Sequence, residues 1–137
     1  MSREMQAANR DSLRMFVRVT LGCRCPDEVF DSMSIEHVAG EAGTTGHVRL
    51  TIGDRLLIYV LEARDSDVAE AALAALARAG MAERDSRGLN RFRLVLALPG
   101  TSVLPDGFQR AFTSAAATDD RAHLHVIDAA ALPQGLC

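Results

Sequence analysis

The chain has no lysine, no tryptophan and a single tyrosine, and aromatics make up 4% of its 137 residues. The missing lysine excludes Schiff-base chemistry and the phosphate-binding lysine of a P-loop. All fifteen basic side chains are therefore arginine, which with abundant alanine fits GC-rich coding. Scarce aromatics leave few platforms on which single-stranded bases could stack. A net charge of -3 gives no basic footprint for nucleic-acid phosphates and no strong acidic field. Nucleic acid is not an expected partner.

Long apolar runs are lacking too. None approaches the ~20 residues needed to cross a bilayer, and the first twelve residues are polar, without the apolar stretch of a secretory signal. Cysteine is sparse and odd in number, three in all, which argues against a disulfide framework and for reduced thiols. The expectation is a cytoplasmic protein without a membrane partner. There is no Gly-x-Ser-x-Gly elbow, and Gly40, Gly43 and Gly46 have the wrong spacing for a dinucleotide fingerprint.

What is present is ordinary globular composition, 48% hydrophobic and 24% charged. A chain of this length buries roughly two-thirds of its unfolded surface and needs no staple. The expected organisation is a polar tail over residues 1–12, a single α/β domain over 13–128 and a tail over 129–137.

Apolar periodicity gives the elements. Leu13, Met15, Val17, Val19 and Leu21 alternate with Arg14, Phe16, Arg18 and Thr20, predicting a strand that Gly22 ends. Pro26-Asp27-Glu28 suits a helix start, and Val29, Phe30 and Met33 carry an apolar stripe along a short helix that runs out between Ser34 and Val38. The glycine-rich stretch 40–46 reads as a mobile loop. Residues 47–52 alternate, Gly53-Asp54 makes a turn, and 56–61 is continuously apolar, which together predict a hairpin. A helix follows from Ser66, with Gly80 placed to stop it. Phe92, Leu94, Leu96 and Leu98 mark a strand, Asp106 opens a helix carrying Phe108 and Phe112, and 122–128 is a last strand.

The first six elements run strand, helix, strand, strand, helix, strand. That order matches a ferredoxin-like βαββαβ core, here with an added helix and strand, in a two-layer α+β sandwich. A thioredoxin-like topology also sets a cysteine motif between a strand and a helix. Its Cys-x-x-Cys spacing and its proline before the later hairpin are both absent here.

Chemistry concentrates at Cys23-Arg24-Cys25-Pro26. A thiol at a helix N-terminus meets unpaired N–H groups and a positive partial charge that favour thiolate. Cys25, at the cap, is the candidate nucleophile, and Cys23 its resolving partner. Arg24, Arg55 and Arg91 are candidates to add positive potential, since the ferredoxin-like arrangement brings the Gly53-Asp54 turn and the 80–91 loop to the end of the first strand. A Cys-x-Cys disulfide lies near the upper limit of usual Cα separations and would be easily reduced. As metal ligands, Cys23 and Cys25 supply two of the four donors a structural site wants. The cysteines equally fit as small buried hydrophobes.

His123 and His125 share one face of the last strand, close enough to hold one ion, although exposed polar residues on an edge strand explain them as well. Two functions remain open. One is a thiol-bearing domain in redox exchange, sulfur handling or metal transfer, with no cofactor specified by the sequence. The other is a non-catalytic module that binds a protein partner or a second copy of itself.

Overall fold

A computed structural model describes residues 12, 14–17, 33–38, 46–53, 55–63, 66–99, 106–116 and 119–132. Five strands form one mixed sheet: β1 (Met33–Val38), β2 (His47–Ile52), β3 (Leu56–Glu62), β4 (Arg91–Leu98) and β5 (Ala122–Asp128). Helix α1 (Ser66–Arg87) connects β3 to β4, and α2 (Asp106–Ala116) connects β4 to β5. A short 3-10 turn, Ala129–Ala131, follows β5. None of the described helices is long and apolar enough to cross a membrane.

The strands lie side by side in sequence order. β2 runs antiparallel to both β1 and β3, with Leu50 opposite both Ile35 and Ile58. β3, β4 and β5 are parallel, with Tyr59 beside Leu94 and Leu94 beside Leu124. This order is not ferredoxin-like. Helical crossovers separate β3 from β4 and β4 from β5, and a crossover returns the chain parallel to its previous strand. The coarser expectation of an α+β fold, with a sheet of five strands and helices packed on it, describes the molecule.

Two expectations change where the structure describes them. Of the strand expected over 13–21, residues 14–17 are helical, as is Ser12 before it, and residues 13 and 18–21 lie outside the described residues. Phe16 and Val17 are both buried while Met15 is 61% exposed, a burial of neighbours that strand alternation forbids. The helix expected to start at Pro26 and run out between Ser34 and Val38 lies outside the described residues over 26–32, and where its end was expected the chain is β1, with Met33 to Val38 paired with Ile52 to His47 along the full length of β2. The expected loop over 40–46 lies outside the described residues except for Gly46.

Each face of the sheet has its own core. Leu57, Tyr59 and Leu61 of β3 and Phe92, Leu94, Leu96 and Leu98 of β4 pack beneath α1 and α2, against Ala69, Leu73, Ala77, Phe108 and Phe112. On the other face Val48, Leu50, Ile52, Leu56, Ile58, Val60 and Val95 pack with Phe16 and Val17, joined by Met33, Ile127 and Leu132. β3 is buried on both sides, which is why its sequence is continuously apolar.

Gly80 does not stop α1, which continues to Arg87. The stop is Gly88, whose φ of 68° suits glycine. Gly88 N–H donates to Asp85 O at 3.3 Å and Leu89 N–H to Arg84 O at 2.9 Å. This paired termination satisfies two of the helix's last carbonyls.

Candidate functional site

Cys23, Arg24, Cys25 and Pro26 lie outside the described residues, so the expected thiol site and its metal-ligand role have no geometry here. Two of the expected activating residues do meet. The Arg55 carbonyl accepts from Asn90 N–H at 2.8 Å and Arg91 N–H at 3.0 Å. Their proximity comes from the parallel pairing of β3 with β4, whose heads lie together, and not from a ferredoxin-like sheet.

Three side-chain networks occupy the described structure. The first centres on Glu83 of α1. It accepts the Tyr59 hydroxyl, lies 2.7 Å from Arg87 Nη1 and 3.0 Å from Arg49 Nε. Arg49 reaches on to Glu36 of β1 at 3.2 Å, and Arg87 donates to Thr51 Oγ1 at 3.2 Å. The His47 ring tilts against Tyr59 with centroids 4.6 Å apart, and Tyr59 meets Phe92 edge-on at 5.1 Å. Burial, and then donation to the Glu83 carboxylate, push the Tyr59 phenol up to about 12. Burial alone would raise Glu83, but hydrogen bonds from Tyr59 and Arg87 and the Arg49 charge hold it below its usual range. A carboxylate so surrounded by donors is a poor base, and the phenol a poor nucleophile. The network ties α1 to β1, β2 and β3.

The second network is a clamp. Arg84 is 2% exposed, and its guanidinium meets Asp119 twice, Nη1 to Oδ1 at 3.1 Å and Nη2 to Oδ2 at 2.5 Å. Asp85 Oδ1 accepts from Arg84 Nε at 3.1 Å and Nη2 at 3.0 Å. Asp119 also accepts the Arg121 N–H at 3.0 Å. The hydrogen bond from Arg84, and the neighbouring charges, keep the Asp119 carboxyl below its ordinary value. The clamp pins the α2–β5 connection to the end of α1.

The third network is cationic. Arg91 and Arg93 of β4, and His123 and His125 of β5, share the sheet face opposite the helices, with Arg93 and His123 directly paired in register. Arg91 Nη1 lies 3.2 Å from His123 Nε2, and Arg93 Nη1 lies 2.8 Å from His125 Nε2. A guanidinium can only donate, so each imidazole accepts at Nε2 and carries its proton on Nδ1. Burial first, then Arg93 and His123, lower His125 to about 4. Burial, Arg93 and Arg91 lower His123, partly offset by Asp119 and Asp120. Burial and Arg91 also lower Arg93. Arg91 is exposed while Arg93 and both histidines are partly buried, so the patch opens at one end.

Sequence placed His123 and His125 on one face correctly, but they are half-buried rather than exposed. A shared metal ion does not suit them, since each Nε2 already faces a guanidinium. No group of three or more His, Cys, Asp or Glu among the described residues is arranged to hold a metal. Arg93 went unremarked in the sequence. Its signal is the matching x-Arg-x-Arg and x-His-x-His alternation at the heads of two strands.

Comparison with protein-family models, curated proteins and solved structures finds no match to this chain.

Proposed function

We propose that this chain is a non-catalytic interaction domain that pairs with a second copy of itself through β1. The observation that carries this reading is the state of that strand. Ser34, Ile35, Glu36 and His37 are all exposed, and among the described residues β1 hydrogen-bonds only to β2. Ile35, 38% exposed, and Met15 are the large apolar side chains left open to solvent among the described residues. An open edge is a template for another strand.

The occupant follows from β1 itself. Antiparallel pairing of two copies about a two-fold axis keeps each residue on its own face, and one register sets Ile35 against Ile35 of the second copy, Ser34 against Glu36 and Met33 against His37. A two-residue shift would put Glu36 against Glu36, which is destabilising. The favoured register joins an apolar pair and opposes no like charges. The Glu83 network and the Arg84 clamp are engaged in holding the fold, which supports binding over catalysis.

The test is analytical ultracentrifugation of the wild type and Ile35→Lys over a hundred-fold range of concentration, with circular dichroism to establish folding. A concentration-dependent dimer that the substitution weakens by about tenfold or more supports the reading. A wild type that stays monomeric, or a folded Ile35→Lys that associates equally well, removes it.

A second reading, thiol exchange at Cys23 and Cys25, is favoured by the Cys-x-Cys-Pro spacing. Here the Cys25 thiolate attacks a partner disulfide and Cys23 displaces the partner, leaving a Cys23–Cys25 disulfide and a reduced partner dithiol. Alkylation rate against pH decides it, comparing the wild type with Cys23→Ser and Cys25→Ser in a Cys137→Ser background. Motif thiols that react no faster at pH 7 than a free peptide thiol rule it out.

A further inference from the structure

We propose that His37 makes the self-association of this chain sensitive to pH, so that two copies joined through β1 come apart as the solution turns mildly acidic. This inference rests on the self-association reading and names how that same edge is regulated.

Alternation along β1 decides which side chains meet at the seam. Met33, Ile35 and His37 pair with Ile52, Leu50 and Val48, all of which lie in the core on the face opposite the helices. Met33, Ile35 and His37 therefore stand on that face, and Ser34 and Glu36 on the other. Across a two-fold axis that sets Ile35 against Ile35, each His37 is opposite Met33 of the second copy. The row through it reads Val48, His37, then Met33 and Ile52 of the second copy, and the next row reads Leu50, Ile35, Ile35, Leu50. Directly opposed side chains in such a ladder have Cβ atoms about 4.5–5.5 Å apart. His37, exposed in the single copy, thus becomes flanked by apolar groups on both sides.

The charge balance there is one-sided. Histidine is the side chain whose charge changes between about pH 5 and 8, and loss of water disfavours its charged form. β1 and β2 place no carboxylate on this face to offset that loss; they offer Met33, Ile35, Val48, Leu50 and Ile52. Glu36 is on the opposite face, 3.2 Å from Arg49, and Arg49 reaches on to Glu83. His47 stands on that opposite face as well, against Tyr59. Arg14, in the helical turn that packs Phe16 and Val17 on the side of His37, is charged throughout and adds no pH dependence. His123 and His125 lie on β5, at the other edge of the sheet.

Two joined copies therefore bind fewer protons than two separate ones, and the dissociation constant rises as pH falls. Each pair contains two His37 side chains, so a bias of about threefold at each becomes about tenfold in the dissociation constant. This sign is opposite to the one overall charge would give. The chain carries -3 at pH 7, so acid first reduces repulsion between copies and on that account alone would tighten them.

The experiment is sedimentation equilibrium of the wild type, His37→Gln, His37→Lys and His123→Gln at pH 7.5 and 5.5 and fixed ionic strength, with circular dichroism at each pH to establish folding. The wild-type dissociation constant is expected to rise about tenfold from the higher pH to the lower. His37→Gln, which cannot acquire the charge, is expected to pair about equally at both. His123→Gln, away from the seam, is expected to keep the wild-type response. Folded His37→Lys, charged at either pH, is expected to pair about tenfold more weakly than the wild type at pH 7.5. A wild-type dissociation constant that stays level or falls with acid, a full response kept by His37→Gln or lost in His123→Gln, or a folded His37→Lys that pairs as tightly as the wild type would each overturn the switch and leave self-association standing. A wild type that is monomeric at both pH values would overturn the self-association reading and the switch together.

Discussion

Replacing Gly80 by alanine sets two effects of known sign against each other. In a helix interior, glycine to alanine gains about 1 kcal/mol, and Gly80 sits well inside α1. A Cβ at Gly80, however, would fall inside van der Waals contact with Cζ and Cε1 of Phe92, and 2.6 Å from its Cε2. The ring has little room to retreat, because Phe92 is 0% exposed and stands edge-on to Tyr59. Overpacking of this kind costs about 1–3 kcal/mol. With three ring atoms affected the upper half of that range applies, leaving a net loss of about 1–2 kcal/mol. In urea denaturation the midpoint should fall at unchanged slope, and Tm should drop by about 4 °C per kcal/mol. Gly88→Ala, where nothing lies within 4 Å, isolates the cost of a positive φ. Gly80→Ala combined with Phe92→Leu should destabilise by at least ~1 kcal/mol less than the sum of the single changes. A Gly80→Ala protein more stable than wild type, or strict additivity with Phe92→Leu, would refute the close-approach account.

Other consequences can be measured directly. Arg84→Leu should cost about 2–3 kcal/mol, at or below the low end for a broken buried pair because Asp119 is partly exposed, as read by thermal denaturation. Asp119 has a folded pKa below the ordinary 3.8, so its contribution is complete above that value and disappears as pH falls through the lower folded one; Asp119→Asn should flatten the acid limb of the stability curve. Tyr59 is the single tyrosine and there is no tryptophan, so absorbance at alkaline pH reports it alone. Its release should centre at about 12 in the folded protein, with stability intact below the unfolded value near 10 and lost as pH rises through 12; release at the unfolded value with the fold intact would contradict the Glu83 hydrogen bond. His125 should titrate at about 4 by NMR and move upward in Arg93→Gln. Because its folded pKa lies below 6.5, stability should decline as pH falls from 6.5 toward 4.

Legibility in the sequence divides along physical lines. β2, β3, β4 and β5 are strongly patterned, and both helices begin where Ser66 and Asp106 suggested. In each the local period agrees with the buried face. The segment over 13–21 alternates just as well, yet 14–17 is helical, and Phe16 and Val17 both pack into the core on that face of the sheet, which strand alternation would not allow. β1 carries too little apolar pattern to announce itself, and its strand state comes from pairing with β2. Tertiary context outweighs weak local preference. Gly80 read as a helix stop because close packing on Phe92 leaves no trace in helix periodicity. The cationic patch was half visible: the shared face of His123 and His125 follows from a period of two, whereas their meeting with Arg91 and Arg93 required knowing that β5 lies beside β4.

The position of that patch admits an electrostatic explanation, and magnitudes decide how far it reaches. The heads of β4 and β5 adjoin the C-terminal ends of α1 and α2, where the helix dipole is negative and arginine is stabilised by about 0.3–1 kcal/mol. That accounts for Arg84 and Arg87 in the last turn of α1 and for part of Arg91, three residues past Gly88. It does not reach Arg93, two residues deeper on the opposite sheet face, nor does it account for two histidines kept neutral by burial beside a guanidinium. Composition could not reveal the patch, since a net charge of -3 over the whole chain says nothing about four side chains gathered on one face.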